Sequence, residues 1–310
     1  MVRAAFPERA LIAAEPLAGG LRNSNFKLRF EPGAEPLVLR IYEHDRALCR
    51  KEVDLHRLVG GAIPIPEILH AAPDGVDGSA PFVIMRYVEG ITFRELEARG
   101  DAAAIAGAAA SIGETLAAIG RYTFSKSGWL EPGPTVGSPL LEGADPCPRF
   151  VDECLASVGA QQRVDSETRS RVHELVWSWA PRLASLDDER SLVHCDFSSR
   201  NLLVHERDGR WALAAVLDWE FAVSASPLVD VGHFLRHERT SKSRVEPAFS
   251  LAFTRGGGRL PADWLRLSRV LDLTALCEML SRPMLPDAVV PEIVELVRAT
   301  VEDRAPSGSG

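Results

Sequence analysis

Three short β-compatible runs open the chain, Leu11 to Leu17, Ser24 to Phe30 and Leu37 to Tyr42, separated by Gly19-Gly20 and Glu31-Pro-Gly-Ala34. Glycine and proline between extended runs mark turns, so this stretch predicts a three-strand meander. From Asp45 to Val59 the period becomes helical, with Leu48, Leu55 and Val59 on one face and Gly60-Gly61 as the stop. Glu52 falls on that same face. A buried carboxylate without a counter-charge is costly, which leaves two readings open. Either Glu52 pairs with Arg40, which shares a strand face with Val38 opposite Leu37, Leu39 and Ile41, or it reaches water at the helix edge.

Pro81 to Met85 reads as a buried strand, and residues 85–90 read as a linker leaving it through Gly90. Beyond it the pattern is mainly helical. Helices are predicted over Asp101–Tyr122, Phe150–Val158, Ser166–Leu186, Pro227–Glu238, Pro261–Ser281 and Pro291–Glu302, with an irregular segment between Leu130 and Pro148. One β-rich island, Ser191 to Ala222, interrupts them. Its strands, Asn201–His205 and Trp211–Leu217, meet across Asp208-Gly209, a strong hairpin signal. A hairpin returns its ends to one place, so Asn201 and Asp218 are expected to be close.

The chain of 310 residues has room for two units. The boundaries predicted are a smaller first unit over residues 1–90 that includes the linker 85–90, a helical second unit over 91–303 and a disordered tail over 304–310. Hydrophobic residues at 46% and charged residues at 25% are ordinary globular proportions. A net charge of −8 argues against a nucleic-acid partner and suits a cationic small substrate. Seven of those eight excess charges fall after residue 90, so Asp152, Glu153, Glu238 and Glu278 are candidate contacts for such a substrate. Prolines and acids at the start leave no export signal, and the apolar run Ala102–Gly113 is too short to span a bilayer. A cytoplasmic protein with no membrane partner is expected. Five scattered cysteines, an odd number without a C-x-x-C pair, read as buried thiols. Cys195 is also weighed as a nucleophile, although its neighbour His194 is adjacent in sequence, where side chains diverge.

The informative segment is His194-Cys-Asp196-Phe-Ser-Ser-Arg-Asn201, followed after the hairpin by Asp218-Trp-Glu220. Phosphoryl transfer needs one carboxylate to orient an attacking hydroxyl and further oxygen donors to hold Mg²⁺ against nucleotide phosphates. The H-x-D-x-x-x-x-N spacing with a later Asp supplies that set. It resembles the centre of the aminoglycoside phosphotransferase family, small-molecule kinases. The likeness extends to Leu17–Asn25 as a nucleotide-covering loop, to Leu37–Arg40, Glu52 and Met85–Gly90, and to Pro227–Val231.

This resemblance implies an α+β fold of the protein-kinase-like bilobal kind, with a small β-rich N-lobe and a larger helical C-lobe. Asp196 would be the catalytic base, and Asn201 and Asp218 the Mg²⁺ ligands. Gly20, Ser24 and Arg40 would meet phosphates, with Arg40 held by Glu52, and adenine would pair with the backbone of Arg86 and Val88. His194 and Asp230 would support the catalytic segment, although a helix-start carboxylate is an alternative for Asp230. Arginine stands at position 40 where protein kinases have lysine, a fork in place of a point charge. The activity implied is transfer from ATP, or GTP, to a hydroxyl of a small, cationic, aminoglycoside-like acceptor. A metabolite kinase for amino sugars, choline or homoserine shares the same centre. A non-catalytic kinase-fold binding module and a two-metal hydrolase are the readings from other classes.

Overall fold

The computed structural model describes residues 1–17, 23–240 and 244–302. After a short helix, α1 (Val2–Ala5), come β1 (Leu11–Pro16), β2 (Asn23–Phe30) and β3 (Leu37–Tyr42), which form the predicted antiparallel meander. Helix α2 (Arg46–Val59) starts where Asp45 accepts a hydrogen bond from the Ala47 amide at 2.9 Å, an N-cap that satisfies one of the otherwise orphaned donors. It ends at Gly60. Two further strands, β4 (Ile68–Ala72) and β5 (Phe82–Arg86), complete a sheet of order β1-β2-β3-β5-β4. The meander is thus three strands of five. Strand β4 escapes sequence reading because it lies on the sheet edge, half-buried along most of its length, and shows no alternation.

Alternation along β3 sorts its residues as expected. Leu37 and Leu39 pack with Leu28, Phe30, Phe82 and Ile84 on one face, and Val38 and Tyr42 pack with Cys49, Val53, Val83 and Met85 under α2 on the other. The C-terminal half of α2 belongs to a different core. Leu55 and Val59 join the large hydrophobic cluster of the helical region, so α2 is rooted on both sides of the molecule.

The linker passes over the hairpin of residues 202–216 at Gly90, where a Cβ would come within 2.7 Å of the Val204 carbonyl oxygen, so only glycine fits. There follow β6 (Ile91–Thr92), α3 (Phe93–Arg99) with a complete capping box between Thr92 and Glu95, and α4 (Ala102–Ile119). The helix lies within the predicted Asp101–Tyr122 and runs past the apolar stretch, through Glu114, to Ile119. By length and composition this helix could cross a membrane, but half of it is buried inside the protein, where it packs on the later helix Glu246–Arg255 and the strand Arg210–Val216.

The segment predicted to be irregular holds a small hairpin, β7 (Gly128–Glu131) and β8 (Thr135–Val136), and the next helix, α5 (Pro146–Ala156), begins four residues earlier than expected. Proline in the first helical turn costs nothing, since its missing donor has no partner there anyway. After α6 (Val158–Arg163), the predicted helix Ser166–Leu186 is split at Trp179 into α7 (Ser166–Ser178) and α8 (Ala180–Ala184). Strands β9 (Ser191–Val193), β10 (Leu202–Arg207), β11 (Arg210–Val216) and β12 (Val223–Ala225) form the β island, extended to Ala225. Asp208 and Gly209, with φ of 52° and 73°, make the turn that joins β10 to β11. The chain closes with α9 (Leu228–Leu235), α10 (Glu246–Arg255), α11 (Trp264–Ser281) and α12 (Val290–Glu302). Helices α3 and α10 were not predicted. The tail expected over 304–310 lies outside the described residues.

Candidate active site

The β10–β11 hairpin does what its turn implies. Leu202 pairs with Val216, and the Leu217 amide donates to the Asn201 carbonyl at 2.8 Å, which sets Asn201 beside Asp218 at the open end. Just before β10, the backbone turns sharply at Cys195, whose φ of 64° is left-handed and rare for a residue with a Cβ. Asp230 holds this turn. Its two carboxylate oxygens accept from the His194 and Cys195 amides at 2.7 and 2.9 Å, the bracing expected of it rather than a helix-start contact. Burial raises its pKa to about 7 against the opposing effect of these two bonds.

His194 is fully buried beneath the turn. Its Nε2 lies 2.9 Å from the Leu217 carbonyl oxygen, and its Nδ1 is 3.2 Å from the Asp196 amide. A neutral imidazole satisfies both, with Nε2–H donating and Nδ1 accepting. Burial lowers its pKa to about 4, so His194 shapes the loop without carrying charge. The Asp196 carboxylate accepts from Asn201 Nδ2 at 2.7 Å, and the same amide group donates to the Asp196 carbonyl at 2.9 Å. Burial pushes the Asp196 pKa up to about 6; the Asn201 bond opposes this, and Asp218 adds to it. The Cys195 thiol is driven to about 12, first by burial and then by Asp230 and Asp196, which disfavours a thiolate nucleophile. The other four cysteines are buried free thiols.

From the opposite side the sheet supplies cations. Arg40 Nη2 lies 2.5 Å from Asp218 Oδ1 and 3.4 Å from Glu220 Oε2, while its Nε is 3.3 Å from Glu52 Oε2. Glu52 also accepts from the Tyr42 hydroxyl at 2.5 Å. Of the two readings left open for Glu52, the structure takes pairing, with Arg40 and Glu52 both nearly out of solvent. Asn23 Nδ2 donates to Glu220 Oε2 at 2.6 Å, and Lys51 Nζ donates to the Glu220 carbonyl at 2.8 Å. Asn23, Lys51 and Glu220 received no role from the sequence. Lys51 was legible in principle, three residues after Leu48 and four before Leu55 on the inward face of α2. A second cation was also missed. Arg236, just after α9, makes a bidentate pair with Asp272 of α11 at 2.6–3.1 Å, and its charge acts on Asp196 to favour the ionised carboxylate.

Asp196, Asn201, Asp218, Arg40, Glu52, His194 and Asp230 therefore converge. Other predicted residues stand elsewhere or are otherwise engaged. Gly20 lies outside the described residues. The Ser24 hydroxyl donates to Glu43 at 2.7 Å. The backbone atoms expected to meet adenine, the Arg86 carbonyl and the Val88 amide, lie at the end of β5 and in the linker, with the Arg86 side chain turned outward to Glu67 and Glu35 and Val88 half-buried. The four acids expected to meet a cationic substrate serve the scaffold or the surface. Asp152 binds Trp177 Nε1 and His173 at 2.8 and 2.7 Å, Glu238 caps the Val245 amide at 3.0 Å, and Glu278 pairs with Arg282 one turn along α11. Glu153 is exposed on α5.

The fold is shared with solved aminoglycoside phosphotransferases. A ternary complex of aminoglycoside phosphotransferase APH(4)-Ia with ADP and hygromycin B superposes with a TM-score of 0.67 at 21% identity, covering 100% of this chain and 98% of that one. The GDP and kanamycin complex of APH(2")-IIIa gives 0.69 at 17% identity over 98% of each chain. Among curated proteins, acyl-CoA dehydrogenase family member 11 of Gallus gallus is 27% identical over 237 residues, and that of Pongo abelii 32% over 181. These matches cover 74% and 57% of this chain but only 28% and 21% of those proteins, so the chain spans about a quarter of the curated relatives it matches. The sequence profile described as the phosphotransferase enzyme family, APH, aligns with residues 13–269, from the sheet through the catalytic hairpin into α11, and the chain belongs to that family.

Proposed function

We propose that this protein transfers the γ-phosphoryl group of ATP or GTP to a hydroxyl of a small molecule. The observation that carries the reading is the convergence of Asp196, Asn201 and Asp218 at the end of one hairpin, faced by Arg40 from the sheet. Asp196, raised toward 6, is still mostly ionised at neutral pH and is suited to orient a hydroxyl and accept its proton. Neutral His194 and the Asp230 brace keep that carboxylate in place. Arg40 adds fixed positive charge at the boundary where phosphates would enter.

The donor set fits Mg²⁺. The Asn201 amide nitrogen is spent on Asp196, which leaves its oxygen as a donor, and Asp218 engages Arg40 through one oxygen while its side chain keeps 28% of its surface exposed. Two hard oxygen donors completed by waters and phosphate oxygens are a usual Mg²⁺ arrangement. Bound between Asn201 and Asp218, the ion would neutralise charge on the β- and γ-phosphates.

For the acceptor, a cationic aminoglycoside-like molecule is one reading, supported by the hygromycin B and kanamycin of the structural neighbours and by the negative charge of the chain. Of its expected contacts, Asp152, Glu238 and Glu278 have partners within the chain and Glu153 is exposed. A hydroxylated metabolite such as an amino sugar, choline or homoserine is the second reading, favoured by the partners that Asp152, Glu238 and Glu278 already have within the chain. Nucleoside diphosphate formation from ATP and from GTP, with Mg²⁺, is to be measured against aminoglycosides, amino sugars, choline and homoserine. Turnover with one class assigns the acceptor. Asp218→Asn is expected to weaken Mg·ATP binding in calorimetry, and an unchanged affinity together with an unchanged Mg²⁺ requirement would remove the metal role. Nucleotide binding with no turnover for any acceptor would favour a binding module.

A further inference from the structure

Lys51 has no part in the chemistry above, yet the geometry around it is specific. It stands on α2 at 5% exposure, one residue before Glu52. Its Nζ crosses from the sheet side to the Glu220 carbonyl oxygen at 2.8 Å. Burying a flexible ammonium sacrifices its hydration, so an inward lysine implies a compensating contact of consequence. The contact here is with backbone.

The segment it holds is under strain. Asp218 has a φ of 64°, a conformation that residues with a Cβ adopt only when their surroundings enforce it. Trp219 anchors the segment on the hairpin side, fully buried with its ring centroid 4.8 Å from that of His194. On the sheet side, Asn23 and Arg40 reach the Glu220 side chain, but a side chain can rotate without moving the backbone. The hydrogen bond from Lys51 grips the main chain itself. We infer that Lys51 is a positioning residue: by holding the Glu220 carbonyl it fixes the backbone of residues 218–220 against α2, and so aims the Asp218 carboxylate at the Mg·nucleotide.

The root of α2 gives this contact reach. Leu55 and Val59 seat the far half of the helix in the core that also holds Trp219 and Leu202, so Lys51 extends from an element already referenced to the hairpin. Arg40, by contrast, sits on a strand and touches Asp218, the carboxylate that would also hold the metal.

This inference rests on the phosphotransfer reading, and its test separates the two. Binding of Mg·AMP-PNP and of Mg-free ADP is to be measured by calorimetry for the wild-type chain, Lys51→Met and Lys51→Arg, alongside thermal unfolding. The expected result is a loss of roughly tenfold in Mg·AMP-PNP affinity for Lys51→Met, the size of one charge-assisted hydrogen bond. Mg-free ADP affinity is expected to be unchanged, and Lys51→Arg to recover most of the loss because it keeps a charged donor. Equal losses for both ligands, or no loss in a folded Lys51→Met, would overturn the positioning role. If Lys51→Met does not fold, Lys51→Gln takes its place: a folded Lys51→Gln that weakens Mg·AMP-PNP alone sustains the role, and one that weakens both ligands equally, or neither, overturns it. A wild-type chain that binds no Mg·AMP-PNP would instead overturn the phosphotransfer reading itself.

Discussion

On the sheet side of the site, Arg40, Glu52 and Tyr42 are buried together and neutralise one another through their side chains, whereas on the hairpin side Asp196, Asp230 and His194 are buried largely among neutral groups and held through backbone amides and carbonyls. The consequence shows in their ionisation. Burial alone would make Arg40 a weaker base, but Glu52 and Asp218 more than compensate and bind its proton tighter. On the hairpin side burial prevails, so Asp196 and Asp230 rise to about 6 and 7, and His194 falls to about 4. Paired burial gives a fixed charge that withstands changes of pH. Burial without a close counter-charge gives groups poised to exchange a proton, which suits a base and would be useless in a phosphate clamp.

The largest effect expected from breaking this contrast is at Asp196. Asp196→Ala should lower kcat by roughly 10²–10⁴-fold while sparing nucleotide affinity, since the carboxylate serves the acceptor. Wild-type kinetics should show the same group by its titration. A base works deprotonated, so kcat/KM should fall as pH drops through about 6, the raised value for Asp196, and an acid limb at the ordinary carboxylate range near 4 would contradict the burial argument. A variant that keeps near wild-type kcat would remove Asp196 from the chemistry.

On the sheet side the corresponding break is structural. Arg40→Met leaves Glu52 and Glu220 buried without their cation and should cost about 3–5 kcal/mol of stability in denaturant unfolding, since an orphaned buried charge is the expensive outcome. A loss below about 1 kcal/mol would show that pairing is not what holds this side. Tyr42→Phe is a milder probe of the same cluster. It removes one hydrogen bond to a buried carboxylate and should cost about 1.5–3 kcal/mol.

The smallest effect sharpens the hairpin side. With its thiol raised to about 12, Cys195 should be alkylated by iodoacetamide at pH 8 more than about a hundredfold more slowly than an exposed cysteine, as followed by mass spectrometry of the native protein. Rapid labelling would mean that the loop opens and that its burial does not set the neighbouring Asp196.

Much of the hairpin side was legible because its information is local. Asp208-Gly209 dictates the turn, the turn dictates that Asn201 meets Asp218, and the H-x-D-x-x-x-x-N spacing places Asp196 and Asn201 in one loop. The bracing of the loop by Asp230 came through the family resemblance, and the structure shows its atoms doing so. The sheet side was harder. Glu52 could be seen to point inward but not what it met, and Asn23 and Lys51 were passed over because their partner is 197 and 169 residues away.

By itself the sequence determined the meander, α2 with its glycine stop, the β10–β11 hairpin and the residues at its mouth, because period, turn chemistry and short spacing act within a few residues along the chain. Only the tertiary structure decided which buried charges pair. It brought Arg40 between Glu52, Asp218 and Glu220, gave Lys51 the Glu220 carbonyl and Arg236 the Asp272 carboxylate, and turned Asp152, Glu238 and Glu278 to the scaffold. A count of acidic residues fixes the net charge of a region, but what an acid does depends on the nearest cation in space, and that distance exists only once the elements have packed.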